Sequence, residues 1–258
     1  MNNGELRFQR IRFGHNTALA PPIPIAPDTV HIWGLVLDLD ESELADAEKL
    51  LSADERERTN RLSFDRHRRH HIAARAGLRL LLGRYSGTHP ERLVIHKTTA
   101  GKPFLRDRPS LRFNMTHSHG RALVAITKDR EVGIDLEKIR PEVNVVRLAQ
   151  RFLSATDQLF VEQSAPPHQH EHFLKTLVAR EAVFKAIGTG LTFPLNQDHL
   201  ELTEDETAGR LILGRSREVK PVRFLPLEPG WVGALSLEGN DWTTRYLCWP
   251  ESEISLET

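Results

Sequence analysis

The chain has 258 residues, 39% hydrophobic and 27% charged, a composition that excludes disordered and fibrous proteins and allows a large core in one domain or two. Lysine and arginine balance aspartate and glutamate at a formal net charge of zero, which argues against holding nucleic acid through overall positive charge but leaves a local basic patch open. The single cysteine, Cys248, excludes an intrachain disulfide and a cysteine metal cluster, and makes a reducing cytoplasm the natural compartment.

Residues 1–28 read as a loosely packed N-terminal arm. Arg7, Arg10 and Arg12 precede the proline-broken segment 18–26, which suits neither a signal peptide nor a bilayer span. Residues 31–38 predict a buried strand, and Ser52-Ala-Asp-Glu55 predicts a capping box opening a highly charged helix. A second helix is expected from about 65 to 85, then strands near 93–96, 111–114, 122–127 and 132–137. Ser154 to Asp157 predicts another helix cap, and a long helix from about 170 should end before Gly188. Weaker strand signals follow at 199–202, 210–213, 222–225, 232–237 and 243–248.

The second half echoes the first. Gly34-Leu-Val-Leu-Asp38 parallels Gly133-Ile-Asp-Leu-Glu137, Leu51-Ser-Ala53 parallels Leu153-Ser-Ala155, and Ala74-Arg75 with Gly83 parallels Ala179-Arg180 with Gly188. Short matches in one order suggest an ancient duplication. The expected fold class is therefore α+β: two similar α/β lobes related by a pseudo-twofold axis, residues 29–128 and 129–258, with a ligand cleft between them. Only the second copy carries acidic candidates, because Val36, Ala76 and Leu80 stand where Asp135, Glu181 and Lys185 do.

Asp135 and Glu137 lie one residue apart on a predicted strand and so share a face, while Ile134 and Leu136 point into the core. Two aligned carboxylates repel unless a cation sits between them, and a hard divalent ion such as Mg2+ carrying a phosphate meets that need. On the later helix, Glu181 and Lys185 fall within the apolar arc of Phe173, Leu174, Leu177, Val178 and Phe184. A buried charge needs a partner. Either the two pair with each other at i,i+4, or they complete a site with Asp135 and Glu137.

Nine arginines lie from Arg56 to Arg84, with His67, His70 and His71 among them. They form either a solvated helix face, balanced by Glu55, Glu57 and Asp65, or a phosphate-binding wall of guanidinium forks. Thr116 and His117 emerge together from a strand, and Gly101-Lys102-Pro103 forms a turn. His168, His170 and His172 fit an exposed loop better than a transition-metal site. There is no Walker loop, no Gly-x-Gly-x-x-Gly opening a helix, and no Gly-x-Ser-x-Gly elbow. What survives is a cleft with Mg2+ on one wall and basic groups on the other.

Gly101-Lys102-Pro103, Phe113-Asn-Met-Thr-His-Ser118, Gly133-Ile-Asp-Leu-Glu137 and Arg180-Glu-Ala-Val-Phe-Lys185 with Gly188 and Gly190 together resemble one family. It is the 4'-phosphopantetheinyl transferases of the larger, two-lobed kind that activates peptide and polyketide synthases, and the resemblance runs from about residue 30 to about 200. It implies Mg2+-dependent transfer of 4'-phosphopantetheine from coenzyme A to a serine of an acyl or peptidyl carrier protein, releasing adenosine 3',5'-bisphosphate. A cytoplasmic monomer with no nucleic-acid or membrane partner is expected.

In that family's terms Asp135, Glu137 and Glu181 would hold the metal. Glu181, Lys185 and Asp135 would be the catalytic set, Glu181 deprotonating the serine directly or through a metal-bound water. Arg58, Arg66, Lys102, Thr116, His117 and Lys185 would meet coenzyme A phosphates, with Lys97 behind them. The chain departs from the family in carrying Leu177 for the usual tryptophan, Arg180 for lysine, and Thr116 for the common serine. Other readings are an arginine-rich nucleic-acid-binding module and an inactive paralogue that only binds coenzyme A.

Overall fold

A computed structural model describes residues 6–11, 13, 22–190, 195–214, 216–249 and 252–253. The short strands β1 (Phe8–Gln9) and β2 (Thr29–Val36) run parallel, and the β3 (Ile95–Lys97) to β4 (Pro103–Leu105) hairpin stands apart as a two-stranded sheet. β5 (Leu111–Ser118) and β6 (Arg121–Lys128) form a hairpin through His119-Gly120, both at positive φ, the geometry a two-residue turn needs to follow strand twist. β7 (Val132–Lys138) begins the second sheet with β8 (His199–Leu202), β9 (Ala208–Ile212), β10 (Val219–Phe224) and β11 (Trp231–Leu237), ordered β7-β11-β10-β9-β8 and antiparallel throughout. β12 (Thr243–Cys248) and β13 (Ser252–Glu253) close the first sheet, ordered β13-β12-β2-β6-β5, with β1 on β2.

The helices are α1 (Glu41–Lys49), α2 (Ala53–Asn60), α3 (Asp65–Ser86), α4 (Val145–Phe152), α5 (Ala155–Gln163) and α6 (Pro166–Ile187). Strand alternation sorts the core into layers. Trp33, Leu35, Val124 and Ile126 of the first sheet pack with Leu78, Leu81 and Leu82 of α3. The opposite faces, Val30, Ile32, Leu123 and Ala125, meet Val132, Ile134, Leu136 and Leu235 of the second sheet. Beyond that sheet, Val178, Ala179, Ala182 and Val183 of α6 pack on Leu211, Val222 and Ala234. The order is helix, sheet, sheet, helix, an α+β protein. No helix among the described residues is long and apolar enough to cross a membrane.

Three expectations change. The N-terminal arm is not loosely packed where it is described: Leu6, Ile11 and Phe13 are buried and β1 joins the first sheet, because their side chains fill the core edge beside β2. Part of the proline-broken segment lies outside the described residues. Residues 243–248, expected in the second lobe, instead pair in parallel with β2, so a division at 128/129 does not follow the sheets; β2 gains a hydrogen-bonded neighbour on that edge. Finally, α6 begins at Pro166, suited to a first helical turn, so His168, His170 and His172 are helical rather than in a loop. Gly83, matched with Gly188 by sequence, lies inside α3. The α3 cap is Gly87, one turn later, left-handed as Gly188 is for α6.

Between α3 and β2 the core holds a polar trio. The Tyr85 hydroxyl is 2.7 Å from His31 Nδ1 and accepts from Trp33 Nε1 at 3.0 Å. Burial, with Arg245 nearby, pushes His31 down to about 4. An unfolded His31 binds its proton near 6.5, so its contribution to stability is full above that pH and is lost as pH falls through 4. The loss is about 3 kcal/mol. Urea midpoints measured from pH 7.5 to 4 should show it, and His31→Gln should flatten the slope; an unchanged slope in the variant would contradict this role.

Candidate active site

β5 and β7 lie side by side at the junction of the two sheets, joined through side chains. Asn114, Thr116 and Ser118 occupy alternate positions and hence one face of β5. Asn114 Oδ1 accepts from the Ile134 amide at 3.1 Å, Thr116 Oγ1 donates to Asp135 Oδ1 at 2.9 Å, and Ser118 Oγ donates to Glu137 Oε2 at 3.0 Å. Two of the acidic side chains are thus held by hydroxyls of the neighbouring strand.

α6 supplies the rest. It can approach β7 closely because Gly133 has no side chain: a Cβ there would stand 1.9 Å from the Ala182 carbonyl oxygen and 2.4 Å from the Ala186 amide nitrogen. Gly133→Ala should therefore push α6 off the strand, costing about 1–3 kcal/mol and separating Glu181 from Asp135. A denaturation series and a transfer assay would show both losses together; an active variant of undiminished stability would contradict the close approach.

Lys185 Nζ lies 2.6 Å from Asp135 Oδ1 and donates to the Ile134 carbonyl at 3.3 Å. The i,i+4 pairing with Glu181 gives way to this cross-element bond. Thr116, His117, Asp135, Glu137, Glu181 and Lys185 line one cavity of about 320 Å3, with Met115 and Leu177. Burial raises the Glu181 carboxyl above its ordinary range, and Asp135 and Glu137 add to the rise against Lys185. Burial also raises Glu137, with Asp135 adding and the Ser118 hydroxyl opposing. Burial beside Lys185 lowers His117.

These residues suit a hard divalent cation: three carboxylates share the cavity with the Lys185 ammonium, and burial makes the negative forms of Glu137 and Glu181 costly without more positive charge. Among the described residues, no three His, Cys, Asp or Glu side chains yet form a coordination set, because Asp135 turns to Thr116 and Lys185. The donors share a cavity but not a common point.

A larger basin of about 920 Å3 adjoins this cavity and shares Met115 and His117 with it. Its basic lining includes Arg58, Arg75, Arg92 and Lys97, with His71 and His96. Of the residues expected to meet phosphates, Arg58, Thr116, His117 and Lys185 line one cavity or the other. Arg66 and Lys102 do not. Arg66 is exposed at the start of α3, and its charge is felt at His119. Lys102 Nζ bonds the carbonyls of Ala186 at 2.7 Å and Val132 at 3.2 Å and pairs with Glu131 at 2.5 Å, which ties the Gly101-Pro103 turn to the end of α6. Sequence reasoning placed His71 in the arginine run without a role of its own and missed Arg92 and His96; the run marked the wall without its register.

The arginine run divides. Arg61, Arg68 and Arg69 pair with Glu57, Asp65 and Glu41. Arg75 and Arg79 both grip Glu55, at 2.5 and 2.6 Å. Burial pushes Glu55 up, but Arg75, the Ser52 amide and Arg79 outweigh it and hold the carboxyl below its usual range. Glu55 also closes the expected capping box with Ser52.

Residues 131–232 match the 4'-phosphopantetheinyl transferase superfamily, and residues 39–130 match the N-terminal part of a 4'-phosphopantetheinyl transferase. The 4'-phosphopantetheinyl transferase HetI of Nostoc sp. is 36% identical over 231 residues, 88% of this chain and 94% of that protein. This chain belongs to the 4'-phosphopantetheinyl transferase superfamily. A 4'-phosphopantetheinyl transferase of Bacillus subtilis is 27% identical over 176 residues, and Sfp of Bacillus subtilis is 25% identical over 176, each match covering 67% of this chain and 77% of the relative.

Two departures of this transferase now have structural accounts. Arg180 is fully buried, points away from the cavity, and donates through Nη2 to Asp157 Oδ2 and the Asp198 carbonyl, both at 2.6 Å. Leu177 lines both the carboxylate cavity and an adjoining apolar groove of about 290 Å3 between α4 and α6. Glu137 and Glu181 line both spaces as well.

Proposed function

We propose that this transferase moves 4'-phosphopantetheine from coenzyme A to a serine hydroxyl of an acyl or peptidyl carrier protein, with Mg2+ held by Asp135, Glu137 and Glu181. The observation that carries this is the continuity of the acidic cavity with the basic basin through Met115 and His117. A donor with a pyrophosphate and a second phosphate needs one metal-lined and one cation-lined compartment in contact. Bound there, Mg2+ would neutralise charge on the pyrophosphate as a Lewis acid.

The chain's own groups do the rest. Glu181, raised by burial, takes the serine proton as the serine oxygen bonds to the pantetheine-bearing phosphorus. The bond from that phosphorus to the bridging oxygen breaks, and adenosine 3',5'-bisphosphate leaves. Lys185, on the same helix face as Glu181, steadies charge on the phosphate. Thr116 keeps Asp135 oriented, and Arg58 with its basic neighbours holds the nucleotide half.

On this reading the cleft lies between lobes related by a pseudo-twofold axis. Support comes from α3 and α6, each 22 residues long and each ending on a left-handed glycine. A monomer in the cytoplasm is the expected form. The nucleic-acid reading loses ground, because five arginines of the run, Arg61, Arg68, Arg69, Arg75 and Arg79, are paired with carboxylates. Mass spectrometry of a carrier-protein panel incubated with coenzyme A should show a phosphopantetheine mass gain with Mg2+ and none with chelator. Unmodified carriers throughout would count against transfer.

A further inference from the structure

The Lys102 ammonium lines neither the acidic cavity nor the basin, and all three of its protons have acceptors. It donates to the Ala186 carbonyl at 2.7 Å and the Val132 carbonyl at 3.2 Å and pairs with Glu131 at 2.5 Å, with only 11% of the side chain exposed. An ammonium has no further donor to offer, so this set leaves nothing for a phosphate. The stem is held as closely. A Cβ on Gly188 would stand 3.1 Å from Lys102 Cδ, so the side chain runs across the glycine that caps α6.

Both carbonyls belong to elements that build the acidic cavity. The last carbonyls of a helix lack an amide partner within it, and a lysine beside them satisfies one and complements the helix dipole. Ala186 is the penultimate residue of α6 and directly follows Lys185; Val132 opens β7, the strand of Asp135. Gly133, next to Val132, is where α6 touches β7, and a Cβ there would stand 2.4 Å from the Ala186 amide nitrogen. Lys102 thus fastens the contact that brings Glu181 and Lys185 to Asp135. The fastening comes from the other half of the chain, and its neighbours Gly101 and Pro103 line the basin. One turn therefore sets the basin wall and the catalytic helix in a common register.

We infer that Lys102 is a positioning residue of the transfer reaction: its two carbonyl bonds hold the end of α6 on β7, keeping Glu181 and Lys185 beside Asp135, and it contacts no phosphate. The inference rests on the transferase reading given above. The test compares wild type with Lys102→Met, which keeps an apolar stem without donors, and Lys102→Arg, which keeps a cationic donor. Each is first shown folded by its melting curve. Each is then assayed for transfer over a range of coenzyme A, for calorimetric binding of adenosine 3',5'-bisphosphate without metal, and for amide hydrogen exchange at residues 184–188.

Lys102→Met should lower kcat about tenfold with KM for coenzyme A nearly unchanged, because a misplaced catalytic group costs rate rather than donor affinity. Lys102→Arg should recover part of kcat. Exchange at residues 184–188 should quicken about tenfold in Lys102→Met while nucleotide affinity holds. A phosphate contact would instead raise KM and weaken nucleotide binding. Either of those results, an unchanged kcat, or no recovery with arginine would overturn the assignment. Should Lys102→Met not fold, Lys102→Gln stands in under the same criteria. If wild type modifies no carrier, the transferase reading fails by itself. Hydrogen exchange then decides Lys102: residues 184–188 as well protected in Lys102→Met as in wild type would dispose of its hold on α6.

Discussion

Glu181→Gln is expected to cut phosphopantetheine transfer on the order of a thousandfold while leaving the free protein more stable. The loss follows from removing at once a cation-holding oxygen and the group placed to take the serine proton. The gain has a separate cause. Burial and the facing carboxylates hold Glu181 above its ordinary range, so its favourable contribution is full below the unfolded value of 4.5 and is lost as pH rises through the folded value. Once ionised without a divalent ion beside it, the side chain is a liability. Glutamine removes that repulsion at nearly constant shape and should raise Tm by about 2–4 °C. Calorimetric melting in chelator, beside carrier mass spectrometry, reads both effects. A variant that loses activity by unfolding would contradict the account.

Asp157→Ala should cost about 3–5 kcal/mol, the largest stability effect of a single substitution expected here. Asp157 sits at the start of α5 behind the N-cap Ser154, and three donors converge on it. Arg180 Nη2 reaches one carboxylate oxygen; His199 Nδ1 at 2.9 Å and the Leu200 amide at 3.2 Å reach the other. Truncation would strand a guanidinium whose Nε and Nη1 already lack partners. Because Arg180 precedes Glu181 on α6, the same change should loosen the site and lower transfer. Arg180→Lys keeps the charge but moves the donor that, as Nη2, reaches both Asp157 and the Asp198 carbonyl, so a milder loss is expected. Chemical denaturation of the two variants checks the order, and an Asp157→Ala protein as stable as wild type would contradict it.

What the sequence showed and what it hid divides by distance along the chain. The Ser52–Glu55 capping box, the helix running to Gly188 and the alternation in β7 are local, and the structure reproduces them. α1 opens on a capping box legible in the sequence, Asp40–Glu43, although little apolar periodicity follows it. The burial of Leu6, Ile11 and Phe13 could not be read from residues interspersed with arginines. Nor could the return of β12 to β2, which depends on a pairing some two hundred residues apart in sequence.

At the site, the shared face of Asp135 and Glu137 was legible from strand alternation, and the closeness of Glu181 was suggested by its place on an apolar arc. The fate of Lys102 and Arg180 was not, since both are decided by carbonyls and carboxylates from other elements. A cation's charge is visible in sequence; its partner is a tertiary fact.

The central claim, that Asp135, Glu137 and Glu181 hold one divalent cation beside the donor's phosphates, is tested most directly by electron paramagnetic resonance of Mn2+ titrated into protein and coenzyme A. The account predicts one bound ion per chain, with Asp135→Asn and Glu181→Gln each weakening binding about 10–100-fold. Mn2+ affinity unaltered by both substitutions would contradict it.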